Sequence, residues 1–269
     1  MVKAASPKGE YEAGSYWSER LATDFSLVGV GYKALGRNFN KWQYKAYLRN
    51  LERASRRFGL KLGSDSIFEC GFGTGFFLDY YHRLGNRDFA GVDLTDVAVK
   101  SLAQRYPQAM FRQADLGAGP FDLGRKFDIA TAFAVLLHIT DDERFRQAMA
   151  NLCNHSAKWV LLTEALPERT FRAPGKSHYV LRSRGEIAAE LNRHGFEVVG
   201  TEPVFVFLAG PTPRFRAWFY VWNGVLYALT RTEVTGNLFG ALFYAADGAL
   251  ISALGCNPSV DLLVARRKT

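Results

Sequence analysis

The sequence predicts an α/β protein: a seven-stranded sheet with helices on both faces, a helical lid ahead of it and a helical insertion before its last strand. Three observations predict it. Short apolar runs alternate with helical patterns between residues 63 and 208, as βα units and a parallel sheet require. A cluster of glycines stands where the first run meets the first helix. Residues 209–257, roughly 50 in number, carry helical periodicity between the last two runs, far more chain than a strand hairpin needs.

The lid is read over 16–62, where YWSERLATDF precedes KWQYKAYLRNLERASRRFGL and Trp42, Tyr44, Tyr47, Leu48 and Leu51 return at helical spacing. The core, 63–208, holds strands at Ile67–Glu69, Phe89–Asp93, Ala109–Arg112, Phe127–Phe133 and Lys158–Glu164, and a sixth in FEVVGTEPVFVF. Thr140 to Glu143 and Ser183 to Glu186 have capping-box spacing, and Gly195 reads as a helix C-cap. In the insertion, Phe215, Trp218, Phe219, Trp222, Val225, Leu226 and Leu229 form one stripe. Leu238, Leu242, Phe243, Ala246, Leu250 and Leu254 form a second. Arg216, Asn223, Arg231, Glu233 and Asp247 interrupt these runs, so neither helix reads as spanning a bilayer. The segment 258–269 supplies the seventh strand, with Val260, Leu262, Leu263 and Val264 apolar.

A chain of 269 residues, 48% hydrophobic and 22% charged, can build a real core and reads as one elaborated globular domain. MVKAASPKGE contains no apolar stretch of the length a secretory signal needs. That start is expected to be unprocessed, with a disordered tip over 1–15, and implies the cytoplasm. Cys70, Cys153 and Cys256 lack CxxC spacing and read as buried thiols. No metal set is expected, since helix capping accounts for the adjacent Asp141 and Asp142. The net charge of +8 would suit an anionic partner, but Lys and Arg are scattered along the chain. A solvated surface is the better reading, with no nucleic-acid partner.

Within Glu69-Cys-Gly71-Phe-Gly73-Thr-Gly75, glycine at alternate positions lets a ligand lie against the main chain where a strand turns into a helix. The dinucleotide fingerprint G-x-G-x-x-G needs its third glycine where Phe76 stands, which weakens a pyrophosphate cradle, and no G-x-x-x-x-G-K-[ST] loop is present. The second strand ends at Asp93, followed by Leu94, about 20 positions beyond the glycines and placed to accept hydrogen bonds from ribose hydroxyls. After the third strand, Asp115 can accept from an exocyclic adenine amine while Leu116 packs near the base.

In order and spacing, E-x-G-x-G-x-G, V-D, A-D-L and FDIATAFAVLLHI together resemble the class I S-adenosylmethionine-dependent methyltransferases over about residues 66–200. That resemblance implies a Rossmann-like, seven-stranded sheet with one reversed strand, and S-adenosylmethionine bound at the strand C-terminal ends. It implies that Gly71, Gly73 and Gly75 approach the methionine and ribose portions and that Asp93 holds the ribose. Asp115 and Leu116 would then meet the adenine, with Phe133 and Ala134 beneath the cofactor. Glu69 would orient the glycine turn or reach the amino group through water. The expected product is S-adenosylhomocysteine.

Methyl transfer from a sulfonium is an in-line displacement, so the protein has to align the groups and exclude water. A hydroxyl or ammonium nucleophile also needs a base. His138, at the end of the fourth-strand segment, and His178, before a helix, are the candidates, each weighed against a structural role. Glu164 is a second base or a helix cap, and Tyr179 and Arg182 are candidates to orient the substrate. Tyr16, Trp42 and Tyr44 are candidates to face the sulfonium or the substrate, where an aromatic face attracts positive charge.

The expected activity is methylation of a hydroxyl, and next of an amine, on a small organic or glycosylated metabolite. The rivals are a non-catalytic binding or scaffold protein and a methyltransferase acting on a lipid-linked substrate at a membrane surface. FAVLLHI stands where a nucleic-acid methyltransferase would carry an NPPY-like tetrad. The insertion has three readings: pocket roof, homodimer interface, or peripheral membrane contact through 215–254. Its stripes lack the dense basic face of a membrane-surface helix, which favours the roof or the dimer.

Overall fold

The glycine loop sits at the centre of the sheet because Ile67–Cys70 (β1) is the central strand, buried along its whole length. A strand covered by helices on both faces has no polar side to show. In a computed structural model, which describes residues 11–172, 178–209, 216–255 and 259–269 (216–219 as backbone alone), β1 is followed by α4 (Phe76–Arg83), β2 (Phe89–Asp93), α5 (Asp96–Arg105) and β3 (Met110–Gln113). Then come β4 (Phe127–Phe133), α6 (Asp142–Asn154) and β5 (Ser156–Glu164). A two-residue hairpin, β6 (Phe171–Arg172) with β7 (Val180–Leu181), leads to α7 (Arg184–Arg193), β8 (Phe196–Pro203), α8 (Arg216–Leu229), α9 (Glu233–Leu254) and β9 (Asp261–Arg267).

The sheet order is β3-β2-β1-β4-β5-β9-β8. The first five strands are parallel, and β9 runs antiparallel to both neighbours, pairing Ala265 with Val160 on one side and with Val198 on the other. This is the seven-stranded sheet with one reversed strand that the sequence resemblance implies. Successive β1 side chains feed opposite faces, so Ile67 joins one core with Phe39, Leu78 and Tyr81, while Phe68 joins another with Phe127, Met149 and Phe196. Cys70 and Cys153 are buried free thiols. Cys256 and Phe215 lie outside the described residues, as do the side chains of Trp218 and Phe219.

Three helices precede the sheet: α1 (Ala13–Thr23), α2 (Leu27–Val30) and α3 (Gly36–Phe58). Helix α1 begins inside the tip expected over 1–15, because the Glu12 carboxylate accepts from Gly14 N (2.8 Å) and Ser15 N (2.6 Å) and so caps it. The lid read over 16–62 divides: Val30 of α2 stands against Gly73 and α1 packs on α2 and α5, whereas α3 packs on β8, β9 and α9 as a helix of the body. The cap of α6 is Asp141, which accepts from Arg144 N at 2.9 Å, rather than Thr140. Ser183 and Glu186 do form the expected capping box.

Helices α3 and α9 lie side by side in the same direction. Asn38 N donates to Glu233 Oε2 (2.8 Å), Trp42 Nε1 to Asn237 Oδ1 (2.9 Å) and Arg49 Nη1 to Tyr244 O (2.6 Å). Gly240 permits this approach, since a Cβ there would stand 2.4 Å from Trp42 Cδ1. Asp247, with no exposed surface, accepts from Val206, Phe207 and Leu208 N and pins α9 to the chain leaving β8.

Candidate active site

The loop between β1 and α4 takes its shape from three positive φ angles, 69° at Gly71, 50° at Gly73 and 78° at Gly75, a region that a side chain makes costly. The turn brings Gly73 N to Asp93 Oδ2 (2.8 Å), while Asp93 Oδ1 accepts from Thr95 N (2.9 Å) and Thr95 Oγ1 (2.8 Å). Burial pushes the Asp93 carboxyl above its ordinary value, with these hydrogen bonds working against the rise. Leu94 lies beside it, its carbonyl accepting from Gln113 Nε2 at 3.0 Å. Asp115 accepts from Gly117 N (2.9 Å) and pairs with Arg144, and Leu116 is buried next to it.

Glu69 is 2% exposed, and its Oε2 has no hydrogen-bond partner. Burial and the nearby Asp93 drive its carboxyl well above the usual range. Phe133 ends β4 against Phe77, ring centroids 4.5 Å apart. Ala134 then takes φ 55°, the one non-glycine with positive φ among the described residues. Strain of this kind, worth about 1–3 kcal/mol, gathers where the backbone is shaped for a ligand.

Beyond Ala134, the turn Leu136–His138 is held by Glu164, whose Oε1 accepts from Leu136 N at 3.0 Å. Glu164 is buried, does not line the cleft, and is raised to about 8 by desolvation. It therefore fills the capping role and not that of a second base. Because a carbonyl only accepts, the 2.9 Å contact of His138 Nδ1 with His178 O puts the proton on Nδ1 and leaves Nε2 with a free lone pair. Desolvation lowers His138 to about 4, so the ring is neutral at physiological pH. His178 stacks on it with centroids 5.7 Å apart, and loss of solvent lowers its value too.

The lid closes this corner. Tyr16 stacks on His178 (5.9 Å), and Trp17 meets His138 edge-on (5.0 Å). Arg20 donates to Tyr16 Oη (2.8 Å) and to the carbonyls of Val28 and Gly31. Trp17 and Arg20 were missed in the sequence, although their spacing from Tyr16 puts all three on neighbouring faces of one helix. Tyr44 and Tyr179 also line the cleft. Trp42 does not: it faces α9 outside the cleft, because the rotation of α3 turns Tyr44 inward instead. Arg182 is buried away from the cleft, donating to Asp142 Oδ1 (3.0 Å) and lying over the Phe145 ring (3.9 Å), so it fastens α6 and does not orient a substrate.

One cleft of about 1550 Å³ joins all of these lining residues, from Glu69, the first two loop glycines, Asp93 and Asp115 to His138, His178, Tyr16 and Trp17. Gly75 caps α4 at its edge. Residues 67–158 match the family described as methyltransferase domain. Over those residues the chain is similar to a methyltransferase domain, within a Rossmann-like, seven-stranded fold. Its fold resembles magnesium protoporphyrin IX methyltransferase from Synechocystis PCC 6803 with bound SAH (15% identity, 94% of this chain and 97% of that one, TM-score 0.58). It also resembles the 1,6-didemethyltoxoflavin-N1-methyltransferase of Burkholderia thailandensis (16% identity, 100% and 98% covered, TM-score 0.54). No curated protein matches by sequence.

The methyltransferase domain fits S-adenosylmethionine on its own geometry. Glu69 Oε2 is a buried acceptor lacking a donor, as an amino group would supply. Asp93 lines the cleft at the end of β2, its carboxylate held there by Gly73 N, Thr95 N and Thr95 Oγ1.

Proposed function

We propose that this protein is an S-adenosylmethionine-dependent methyltransferase acting on a hydroxyl of a small organic or glycosylated metabolite, with an amine as the next choice. The observation that carries the reading is the single cleft. At about 1550 Å³ it exceeds the roughly 300–1000 Å³ of an ordinary ligand pocket, leaving room for a cofactor and an acceptor side by side. The cofactor end is polar, with Glu69, Asp93 and Asp115, whereas Tyr44, Tyr47, Phe205 and Leu226 make the remainder apolar and aromatic.

When bound, the cofactor supplies an electrophilic methyl group on a sulfonium. Glu69 would hold its amino group, Asp93 its ribose and Asp115 with Leu116 its adenine. His138 would take the acceptor's proton on Nε2, with Nδ1–H held by His178 O. Glu164 positions His138 through the turn, and Tyr16 and Trp17 cover the pair and exclude water.

Calorimetric titration of the folded protein with S-adenosylmethionine and with NADH, repeated on Asp93→Ala, tests this. The expected result is micromolar binding of S-adenosylmethionine alone, lost in the variant. Failure of the wild-type protein to bind it would overturn the proposal.

A further inference from the structure

The surface of the insertion is hard to reconcile with open water. Between 217 and 255 the only charged residues are Arg231 and Glu233, at the turn between α8 and α9, and the buried Asp247. Helix α9 exposes Val234 (79%), Leu238 (62%) and Leu242 (56%), three residues at i, i+4 and i+8 on one face. Helix α8 exposes Tyr220, Val221, Val225 and Tyr227. A contiguous apolar face of this kind marks a contact surface.

Neighbouring α3 supplies the cationic border that the insertion's own sequence lacks. Arg37, Lys41, Lys45, Arg49 and Arg53 recur every fourth residue and so form one stripe along α3. Lys45 Nζ lies 3.8 Å from the centre of the Trp42 ring, which bonds Asn237; Arg49 stacks on Tyr244 at 4.2 Å; Arg53 reaches Ser252 Oγ at 3.4 Å. The basic stripe therefore runs along the edge of α9. The main-chain N–H of Arg37 donates to Glu233 Oε1 (2.9 Å), but the side chains of Arg37, Lys41 and Lys45 form no ion pair among the described residues. At the C-terminal end of α9, beside Ile251 and Gly255, an open depression of about 690 Å³ collects Arg53, Arg56, Arg57 and Arg184 against two carboxylates, Glu202 and Asp261. Arg53 and Arg57 pair with Glu202 and Arg184 with Asp261, so the four arginines outnumber the two carboxylates and leave the depression net cationic.

We infer that the α8–α9 hairpin and the basic stripe of α3 form a docking surface for an anionic phospholipid bilayer, lying in its plane. Helix α9 is long and apolar enough to cross a membrane, contrary to the sequence reading, and only 17% of its most apolar window is buried. Its opposite face, however, is committed to α3 and to the Asp247 amide cluster, so the helix lies on the bilayer instead of spanning it. Cationic residues at such a border attract acidic headgroups while the apolar face enters the acyl boundary. Helix α8 also turns Asn223 and Leu226 to the cleft, so the membrane-facing element is at once the wall of the proposed active site.

Flotation of the full chain with vesicles of equal phosphatidylglycerol and phosphatidylcholine, and with phosphatidylcholine alone, tests this surface. Leu238→Glu/Leu242→Glu and Lys41→Glu/Lys45→Glu are compared after thermal melting confirms folding and calorimetry confirms unchanged S-adenosylmethionine binding, a readout independent of lipid. The inference expects flotation with the anionic vesicles that falls at high salt. Partitioning should drop at least about 30-fold in the charge variant, as two basic contacts are lost, and comparably in the leucine variant. No flotation of the wild type, or flotation of both variants equal to that of the wild type, would overturn it. So would light scattering that shows a dimer dissociated by Leu238→Glu/Leu242→Glu without vesicle binding, which would give this face to a second copy.

Discussion

Glu164→Gln isolates the group that positions the histidine turn. Glu164 is 4% exposed, and burial carries it from an ordinary 4.5 to about 8, against hydrogen bonds from the turn's amides. Between those values the folded protein keeps a proton that the unfolded chain has released. Its stabilising contribution is therefore complete below pH 4.5 and is lost as pH rises toward 8. At about 1.4 kcal/mol per pH unit, the displacement is worth roughly 5 kcal/mol at most. Glutamine retains the oxygen that accepts from Leu136 N and has nothing to titrate. Urea unfolding at pH 5, 6.5 and 8 should find variant and wild type within about 1 kcal/mol at pH 5. At pH 8 the variant should be the more stable by roughly 3 kcal/mol. Identical pH dependence in the two proteins would refute the reasoning, since Glu164 would then be ionised in the folded state at little cost.

His138→Gln should lower kcat by about 10²–10⁴-fold with S-adenosylmethionine affinity unchanged, measured by single-turnover methylation of an identified acceptor. Because His138 titrates near 4, the wild-type rate should be flat from about pH 6 to 8 and decline only on further acidification. Gly73→Ala should destabilise by about 1–3 kcal/mol, combining the φ of 50° with a Cβ 2.8 Å from Val30 Cγ1 on α2. Adding Val30→Ala should recover the steric share alone, and strict additivity in that double-mutant cycle would show that the lid does not rest on the loop.

The strands, the glycine turn and Asp93 were legible because each is a local fact: an apolar run, a backbone angle open to glycine, an acidic residue at a strand end. Capping was legible to within one residue, Asp141 taking the place of Thr140. The histidine pair was legible as two candidates, but not as a pair, since His138 and His178 meet only when β7 returns beside the turn Leu136–His138. Among the helical aromatics, composition alone could not separate Trp17 at the cleft from Trp42 outside it. The difference lies in how each helix is rotated against its neighbours.

By itself, the sequence determined the α/β order, the glycine loop and the apolar character of the insertion. Tertiary structure decided which groups share a site and which share a surface. The α3–α9 contact joins residues 195 apart in the chain, such as Trp42 and Asn237, and sets a basic stripe from one segment along an apolar stripe from another. Periodicity reports the faces of a single helix, whereas an interface is chosen by packing between helices, and only the folded chain holds that information.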